Sequence, residues 1–272
     1  MSALVQIVIK PQQQEDLEFI YRLGLQKAKL NPNEVIDWRI RKRSLDARKA
    51  SIKLNVQLEF WKVGEVREVA QAWRAKTVNP EKKVAIIGAG PAGLYAALRA
   101  IEAGITPVVF ERGKDVRARR RDLAAINKAQ TVNPESNYCF GEGGAGTYSD
   151  GKLYTRSKKR GNVLKALEWL VHFGASDDIL VEAHPHIGTN KLPAIITAMR
   201  EAVIAHGGAV HFNAKLTDIK IENNNIKGLE INGDTWHDFS EVVLATGHSA
   251  RDIFYLLHKR GVTIAAKPFA LG

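Results

Sequence analysis

Six residues between an apolar run and a helix-forming segment give this sequence its clearest chemical signature. Glycines at positions 88, 90 and 93 form a G-x-G-x-x-G turn that follows the strand-like run Val84 to Ile87. In such a turn the first glycine permits a tight reversal, the second lets a pyrophosphate approach the backbone, and the third lets the helix lie close to the strand. The residues predicted to hold a pyrophosphate are Gly88, Ala89, Gly90, Pro91, Ala92 and Gly93.

An acidic residue follows at the spacing that a dinucleotide site needs. Glu111 ends the next strand-like run, Val108 to Phe110, 18 residues after the third glycine. A carboxylate there can accept hydrogen bonds from both ribose hydroxyls of an adenosine, and it would repel a 2′-phosphate. Because Glu111 recognises the adenosine of NAD as well as that of FAD, this pattern leaves both cofactors open. The alternative, a tight turn without a ligand, is disfavoured by the glycines, apolar helix and terminal acid in register.

Residues 139–153 hold a second cluster of glycines. Their backbone can adopt positive φ, so its N–H groups can form a concave nest for an anion or lie against a flat cofactor ring. A mobile surface loop is the alternative. The stretch also satisfies the G-x-x-x-x-G-K pattern of a P-loop, but Leu153 stands where a P-loop needs Ser or Thr, so we reject that interpretation. The residues predicted to contact a cofactor here are Gly143, Gly144, Gly146, Asp150 and Gly151.

Three more residues are assigned to the cofactor. Thr246 and Gly247 follow an apolar run that predicts a buried strand, whose small terminal residues would let the backbone pass close to a cofactor. Arg112 opens a basic segment whose arginines could meet phosphates, and a solvated helix face is an equal alternative.

No residue is assigned a catalytic role. His248 is either an acid beside a flavin or an ordinary loop histidine, and Cys139, which lacks a C-x-x-C partner, is expected to be a buried structural thiol. His184 and His186 have neither helical nor zinc-type spacing, so no metal site is predicted.

The elements around these motifs predict an α/β protein of two domains. Residues 1–80 are predicted to form a small α+β domain, and residues 81–272 a Rossmann-like FAD/NAD(P)-binding domain with a central parallel sheet. The second domain is expected to carry a helical insertion at 155–190 and a small antiparallel meander at 215–239.

Periodicity places the remaining elements. The first domain is predicted to contain a strand at 3–9, helices at 13–29 and 65–76, and an antiparallel strand pair at 35–44 and 52–60. In the second domain, Asn190 is predicted to cap a strong helix.

Charge and composition limit the classes of protein. The net charge is +11. The sequence has no apolar run long enough to predict a membrane span, and its opening residues lack the pattern of a signal peptide. A single cysteine excludes an internal disulfide, so a cytoplasmic location is expected. The most basic patch contains Arg39, Arg41, Lys42, Arg43, Arg48, Lys49 and Lys53.

Two interpretations of this patch stay open. Strict alternation would place Arg39, Arg41 and Arg43 on one strand face, which could contact RNA or another phosphate. A solvated or docked strand face is favoured, because no stacking aromatic residues punctuate the patch.

The sequence resembles the FAD-binding half of the glutathione-reductase-like flavoprotein superfamily, in the glycine turn with Glu111, the meander and Leu244-Ala-Thr-Gly247. Three segments resemble, more closely, a poorly characterised family of bacterial FAD-dependent dehydrogenases with an extra N-terminal module. These segments are Phe140 to Leu153, Arg41 to Arg48 and His186 to Thr189.

The resemblance implies FAD as the cofactor, with its pyrophosphate at 88–93, its adenosine ribose at Glu111, its ribityl and isoalloxazine near 141–151, and Thr246 and Gly247 beside the nucleotide. The superfamily's Gly-Asp element, which holds the ribityl chain near the C-terminus, has no counterpart before Gly272. The family is also longer, so the chain is expected to be the N-terminal part of such a protein.

The predicted function is therefore that of an FAD-dependent oxidoreductase (dehydrogenase) of unassigned substrate, or of its FAD-binding portion. The isoalloxazine ring would take a hydride from a donor and pass electrons on. Expected partners are a small-molecule or protein electron donor or acceptor, with NAD(P)H as a candidate, and no membrane. Two alternatives stay open: an RNA-directed flavoprotein that uses the basic N-terminal module, and a non-catalytic dinucleotide-binding protein.

Overall fold

The structure, a computed structural model, describes residues 2–48, 51–66, 72–153, 155, 161–188 and 191–266. The chain divides into two compact units. The N-terminal unit comprises Met1–Ala72 and Asp150–Gly188, and the nucleotide unit comprises Trp73–Ser149 and Thr189–Gly272. The segment predicted as an insertion in the nucleotide-binding domain thus groups with the N-terminal residues. The division at residue 80 stays a prediction.

The N-terminal unit is a three-stranded antiparallel sheet with one helix packed on it. The sheet order is β1-β3-β2, and the strand predictions for this region are confirmed. Asp16 caps the helix, because its Oδ1 accepts a hydrogen bond of 2.9 Å from the N–H of Phe19. The elements are β1 (Ala3–Ile9), α1 (Leu17–Ala28), β2 (Val35–Asp46), β3 (Lys53–Lys62) and, in the second segment of the unit, α4 (Val163–His172).

A β-bulge changes the face that one arginine of β2 occupies. The register shifts between Ile40 and Lys42, and beyond the shift Arg43 lies opposite the buried Val56. Arg43 therefore leaves the face that holds Arg39, contrary to the strict alternation predicted from the sequence. The bulge adds one residue to β2, and the pattern of residue types gives no sign of it.

Residues 181–183 extend the edge of β2. The N–H of Arg43 donates to the carbonyl of Val181 at 2.7 Å, and the carbonyl of Arg43 accepts from the N–H of Ala183 at 2.9 Å. The guanidinium of Arg43 also donates to Glu182 at 2.7 Å and to Asp178 at 3.1 Å. This bonding gives the second segment of the N-terminal unit its attachment to the sheet.

The nucleotide unit is built on a four-stranded parallel sheet in the order β10-β4-β5-β6. A three-stranded antiparallel sheet, β7-β8-β9, forms the predicted meander. The strands are β4 (Asn79–Ile87), β5 (Ile105–Phe110), β6 (Ala209–His211), β7 (Leu216–Glu222), β8 (Asn225–Ile231), β9 (Thr235–Asp238) and β10 (Val242–Leu244). The helices are α2 (Pro91–Glu102), α3 (Val116–Ala129), α5 (Leu192–Ala205) and α6 (Arg251–Lys259). The predicted fold class is confirmed.

The two faces of β4 enter different parts of the core. Ala85 and Ile87 pack in one buried cluster with residues of the meander and with Ile253 of α6. Ile86 points to the other face, where α2 lies so close that a Cβ on Gly93 would stand 3.4 Å from its side chain. Both faces of the parallel sheet are covered at β4, as its uninterrupted apolar run predicts.

Three secondary-structure predictions either differ from the structure or lie outside the described residues. Of the helix predicted at 65–76, residues 67–71 lie outside the described residues and the remainder is not helical; Trp73 instead donates from its indole to the carbonyl of Leu98 in α2 at 3.1 Å. The strand predicted to be buried at 241–248 is the short edge strand β10, whose Leu244 is 41% exposed. The Asn190 cap lies outside the described residues.

Candidate functional site

The carboxyl ends of β4, β5 and β10 border a cleft of about 700 Å³ in the nucleotide unit. In open parallel sheets, ligands bind in the crevice outside the carboxyl ends of the strands. Residues of the glycine turn, Glu111, the glycine-rich loop 138–146, the start of β7 and the segment 244–250 line this cleft. Five segments that are distant in sequence therefore meet at one cavity.

Two glycines of the turn are needed by the chain itself. Gly88 has φ +107°, and a Cβ there would stand 2.5 Å from the carbonyl oxygen of Ala245. A Cβ on Gly93 would stand 1.8 Å from the carbonyl oxygen of Gly88, so only glycine lets α2 pack against the turn. These are the turn and packing roles predicted for the first and third glycines.

Gly90 is different, because nothing in the described part of the chain requires a glycine there. Its φ of −69° suits any residue, and an added Cβ would meet nothing nearer than the Cα of Gly144 at 4.0 Å. Among the described glycines only Gly146 shares this property, and both line the cleft. A left-handed φ or a close neighbour accounts for each of the others. The cleft therefore has two glycines beside open space, Gly90 and Gly146, which we call the cradle. A ligand could approach the backbone closely at both positions.

The N-terminus of α2 opens at this cradle. Gly90 is its N-cap, no side chain caps it, and its first turn carries no acidic residue. The partial positive charge of a helix N-terminus and its N–H groups favour an anion such as a phosphate.

Glu111 connects three segments of the site. Its Oε2 accepts from the N–H of Ala89 at 2.7 Å, and its Oε1 accepts from the N–H groups of Gly113 at 2.8 Å and Gly141 at 2.9 Å. An ionised carboxylate has about four acceptor positions. Three are occupied, so one acceptor position on Oε2 remains. The bonds from Glu111 to the ribose hydroxyls stay a prediction.

Arg112 lines the cleft with a charge that is already paired. Its guanidinium contacts Glu135 at 2.6 Å and Asp252 at 2.9 Å, and it stacks over the ring of Phe140 at 4.2 Å. The same two carboxylates also bind Lys215, at 2.7 and 3.6 Å. The positive charges of Arg112 and Lys215, both of which line the cleft, are therefore paired with the same two carboxylates.

Sequence reasoning missed Arg119, the largest fully buried side chain of the described residues. Its guanidinium lies inside the glycine-rich loop and donates to backbone carbonyls of that loop. Burial lowers its pKa from the usual value. One signal was available, since Val116, Arg119 and Leu123 recur at helical spacing and form the buried face of α3.

Glu142 is a second buried charge of the loop. It has no solvent exposure, its Oε2 accepts from the N–H of Val116 at 2.8 Å and pairs with Arg200 at 3.1 Å, and its Oε1 has no hydrogen-bond partner. Burial raises the pKa of this carboxyl to about 7.

The remaining predicted site residues divide between the units. Thr246 and Gly247 line the cleft. Gly143 is not among the lining residues, and its N–H donates to the carbonyl of Ala89 at 2.8 Å. Asp150 and Gly151 belong to the N-terminal unit and do not line the cleft. All assignments of individual residues to the cofactor stay predictions.

Cys139 is exposed and lines the cleft, so the expectation of a buried thiol is wrong. The N–H of Cys139 donates to the Oδ1 of Asn137, which folds the chain into a local turn at the surface. His248 also lines the cleft. The described residues hold no group of three or more side chains suited to a metal ion.

The arginines of the basic N-terminal patch are paired within their own unit. Arg39 and Arg41 contact Glu59 at 2.8 and 3.8 Å, and Arg48 contacts Asp46 at 2.6 Å. Arg43 pairs with the residues near 180 as described above, and Lys49 lies outside the described residues. This pairing lends no support to an RNA-binding face.

Two protein families match segments of this chain. Residues 83–125 match the family described as FAD binding domain, and residues 1–61 match the family described as Domain of unknown function (DUF8436). An uncharacterized protein of Clostridium beijerinckii is 34% identical over 275 residues, which cover 95% of this chain and 51% of that protein. The chain thus spans about half the length of this relative.

Similar solved structures include THI4 of Thermovibrio ammonificans, with 20% identity, a TM-score of 0.43 and coverage of 67% of this chain and 64% of that one. Glycine oxidase of Bacillus cereus has 18% identity, a TM-score of 0.33 and coverage of 64% and 58%. Similarities of this size carry no argument about function.

Across the described residues, no helix has the length and apolar character to cross a membrane.

The segment matched as an FAD binding domain contains the glycine turn, α2, β5 and Glu111. This match supports FAD as the cofactor.

Proposed function

We propose that this chain is the FAD-binding portion of an FAD-dependent oxidoreductase. The observation that supports this most strongly is the cradle, because neither backbone φ nor a close neighbour among the described residues requires glycine at 90 or 146, and both glycines border the cleft. The match of residues 83–125 to an FAD binding domain supports the same cofactor.

The residues of the cleft would divide the cofactor between them. The turn at 88–93 and the N-terminus of α2 would hold the pyrophosphate, the free acceptor position of Glu111 would receive a ribose hydroxyl, and Gly144, Gly146, Thr246 and Gly247 would lie along the remainder. Bound FAD supplies hydride and single-electron chemistry, while the protein supplies binding and orientation. We propose NAD(P)H or an electron-carrier protein as the redox partner and the cytoplasm as the location.

The greater length of the Clostridium beijerinckii relative supports an assignment to a family of longer proteins. We infer that the chain belongs with the bacterial FAD-dependent dehydrogenases that carry an extra N-terminal module, and that the remainder of the longer protein completes the substrate site. A relative that extends to about twice the matched length supports this inference.

Two variants of one residue test the phosphate site. Gly90→Asp and Gly90→Asn add side chains of nearly equal size at the N-cap, and both suit that position, so the unfolding free energy should stay level or rise by a few tenths of a kcal/mol. Gly90→Asn should weaken FAD binding about ten-fold by filling the cradle. Gly90→Asp should weaken it at least about ten-fold further by repelling the phosphates, and salt should shrink this difference.

Binding is measured by the visible absorption change on titration with FAD, and folding by circular dichroism. Both variants binding FAD as tightly as the wild type would show that the phosphates lie elsewhere. For the activity, the loaded chain is mixed anaerobically with NADH or NADPH. Reduction no faster than that of free FAD would contradict a nicotinamide donor.

A further inference from the structure

The guanidinium of Arg119 is surrounded by oxygen atoms of the glycine-rich loop. Its shortest bonds run to the carbonyls of Glu142 and Gly144 at 2.8 Å, Asn137 at 2.9 Å and Tyr138 at 3.1 Å. The carbonyl of Gly141 and the hydroxyl of Thr147 lie at 3.4 Å. These six acceptors belong to uncharged groups, so backbone dipoles of one loop satisfy a buried positive charge.

This ring of carbonyls determines where the N–H groups of the loop point. The described chain has no cis peptide bond, and in a planar trans peptide the carbonyl of one residue and the N–H of the next point in opposite directions. The carbonyl of Glu142 points at Arg119, and the next N–H, that of Gly143, accordingly leaves Arg119 and donates to Ala89 in the glycine turn at 2.8 Å.

The same relation holds two peptides further along, where the N–H has a different environment. The carbonyl of Gly144 points at Arg119, so the N–H of Ala145 points away from it. Ala145 is exposed and lines the cleft. Gly144 stands against the cradle, since its Cα is 4.0 Å from the Cβ position of Gly90. The N–H of Ala145 therefore borders the part of the cleft where α2 begins.

We propose that Arg119 is a positioning residue that fixes the peptide between Gly144 and Ala145, so that the N–H of Ala145 donates to the diphosphate of the bound cofactor. This inference rests on the proposed FAD site and adds a second backbone donor facing the N-terminus of α2. Donors on two sides of an anion form the concave arrangement in which backbone N–H groups bind phosphates.

Lysine cannot replace arginine in this role. The guanidinium presents five donors in a rigid fork, whereas a lysine has three donors on one atom and loses its charge readily when buried. Arg119→Lys would remove the guanidinium bonds to the five carbonyls. The hydroxyl of Thr147, at 2.9 Å, would remain as a donor to the carbonyl of Gly144, so the peptide between Gly144 and Ala145 would lose one of its two side-chain bonds.

The test follows backbone amide resonances of the full chain during titration with ADP, which carries the diphosphate and adenosine of the cofactor. In the wild type, ADP should move the amide proton of Ala145 downfield together with that of Ala92 in the first turn of α2. In Arg119→Lys, the shift at Ala145 should shrink, the shift at Ala92 should persist, and ADP affinity should fall by up to about ten-fold, the loss of one bond to a charged group.

Arg120→Lys, on the exposed side of the same helix, is the matched control and should behave like the wild type. A wild-type titration in which Ala92 shifts and Ala145 does not would overturn this inference and leave the FAD site intact. A titration in which neither shifts would overturn the proposed site itself. The wild-type result can overturn either point even if Arg119→Lys does not fold. An unchanged Ala145 shift and unchanged ADP affinity in a folded Arg119→Lys would overturn the positioning role of Arg119.

Discussion

The carboxyl of Glu142 should make the stability of this protein depend on pH, and Glu142→Gln should remove that dependence. Burial raises its pKa from 4.5 to about 7 in the folded chain. The folded state therefore keeps a proton between these values that the unfolded state has released. Stability linked to this group is fully present below about pH 4.5 and is lost as the pH rises through 7.

The magnitude follows from the size of the shift. One pKa unit corresponds to about 1.4 kcal/mol, so the free energy of unfolding should fall by roughly 3 kcal/mol between pH 4.5 and a pH above 7. Glutamine keeps the shape of Glu142 and an oxygen that can accept from the N–H of Val116, but it does not titrate. The difference in stability between Glu142→Gln and the wild type should therefore grow by the same amount over this range.

The assay is urea denaturation of both proteins at constant ionic strength from pH 4.5 to 8. Subtracting the two curves cancels the titration of the carboxyl groups that both proteins share. Glu201→Gln, which removes an exposed carboxylate of α5 at 4.0 Å from Arg200, is the matched control and should follow the wild-type curve. A difference between Glu142→Gln and the wild type that stays flat across the range would refute the reasoning.

Three other substitutions have defined outcomes. Gly93→Ala places a Cβ 1.8 Å from the backbone oxygen of Gly88, so we expect a loss of more than about 3 kcal/mol in unfolding free energy by urea denaturation, and a stable variant would contradict the packing of α2. Gly24→Ala places a Cβ 2.4 Å from Leu58, where the side chain can yield, so thermal denaturation should show a cost of about 1–3 kcal/mol; no change would mean that α1 sits further from the sheet. Glu111→Gln turns a carboxylate that accepts three N–H bonds into a neutral amide with an NH₂ group facing a donor, so urea denaturation should show a loss of about 2–3 kcal/mol and FAD titration a weaker affinity, whereas unchanged FAD affinity would remove Glu111 from the site.

The fold could be predicted from the sequence where residue types repeat with a clear period. The run Val84 to Ile87 and the alternation of residues 52–60 gave the strands that the structure contains, because burial on two faces or one face leaves a direct pattern. The glycine turn and Glu111 could be placed together because their spacing corresponds to one strand–helix–strand unit.

The errors share a physical cause, which is that single hydrogen bonds and single insertions leave no period in a sequence. The bulge in β2 moved Arg43 to the other face, and the turn closed by Asn137 moved Cys139 to the surface. The bonds of residues 181–183 to β2 join positions almost 140 residues apart. None of these contacts could be derived from local residue types.

The buried charges show why the cleft is made mostly of backbone. Glu111 accepts N–H groups from the turns that follow β4 and β5 and from the glycine-rich loop, while Arg119 donates to carbonyls on the inner side of that loop. One acidic side chain, Glu111, and one basic side chain, Arg119, therefore orient the peptides that border the cradle at Gly90. The geometry of the cradle should therefore depend on these two charges and on the glycines that they hold. A change at Arg119 or Glu111 should alter the cofactor site even though neither residue presents much surface to it.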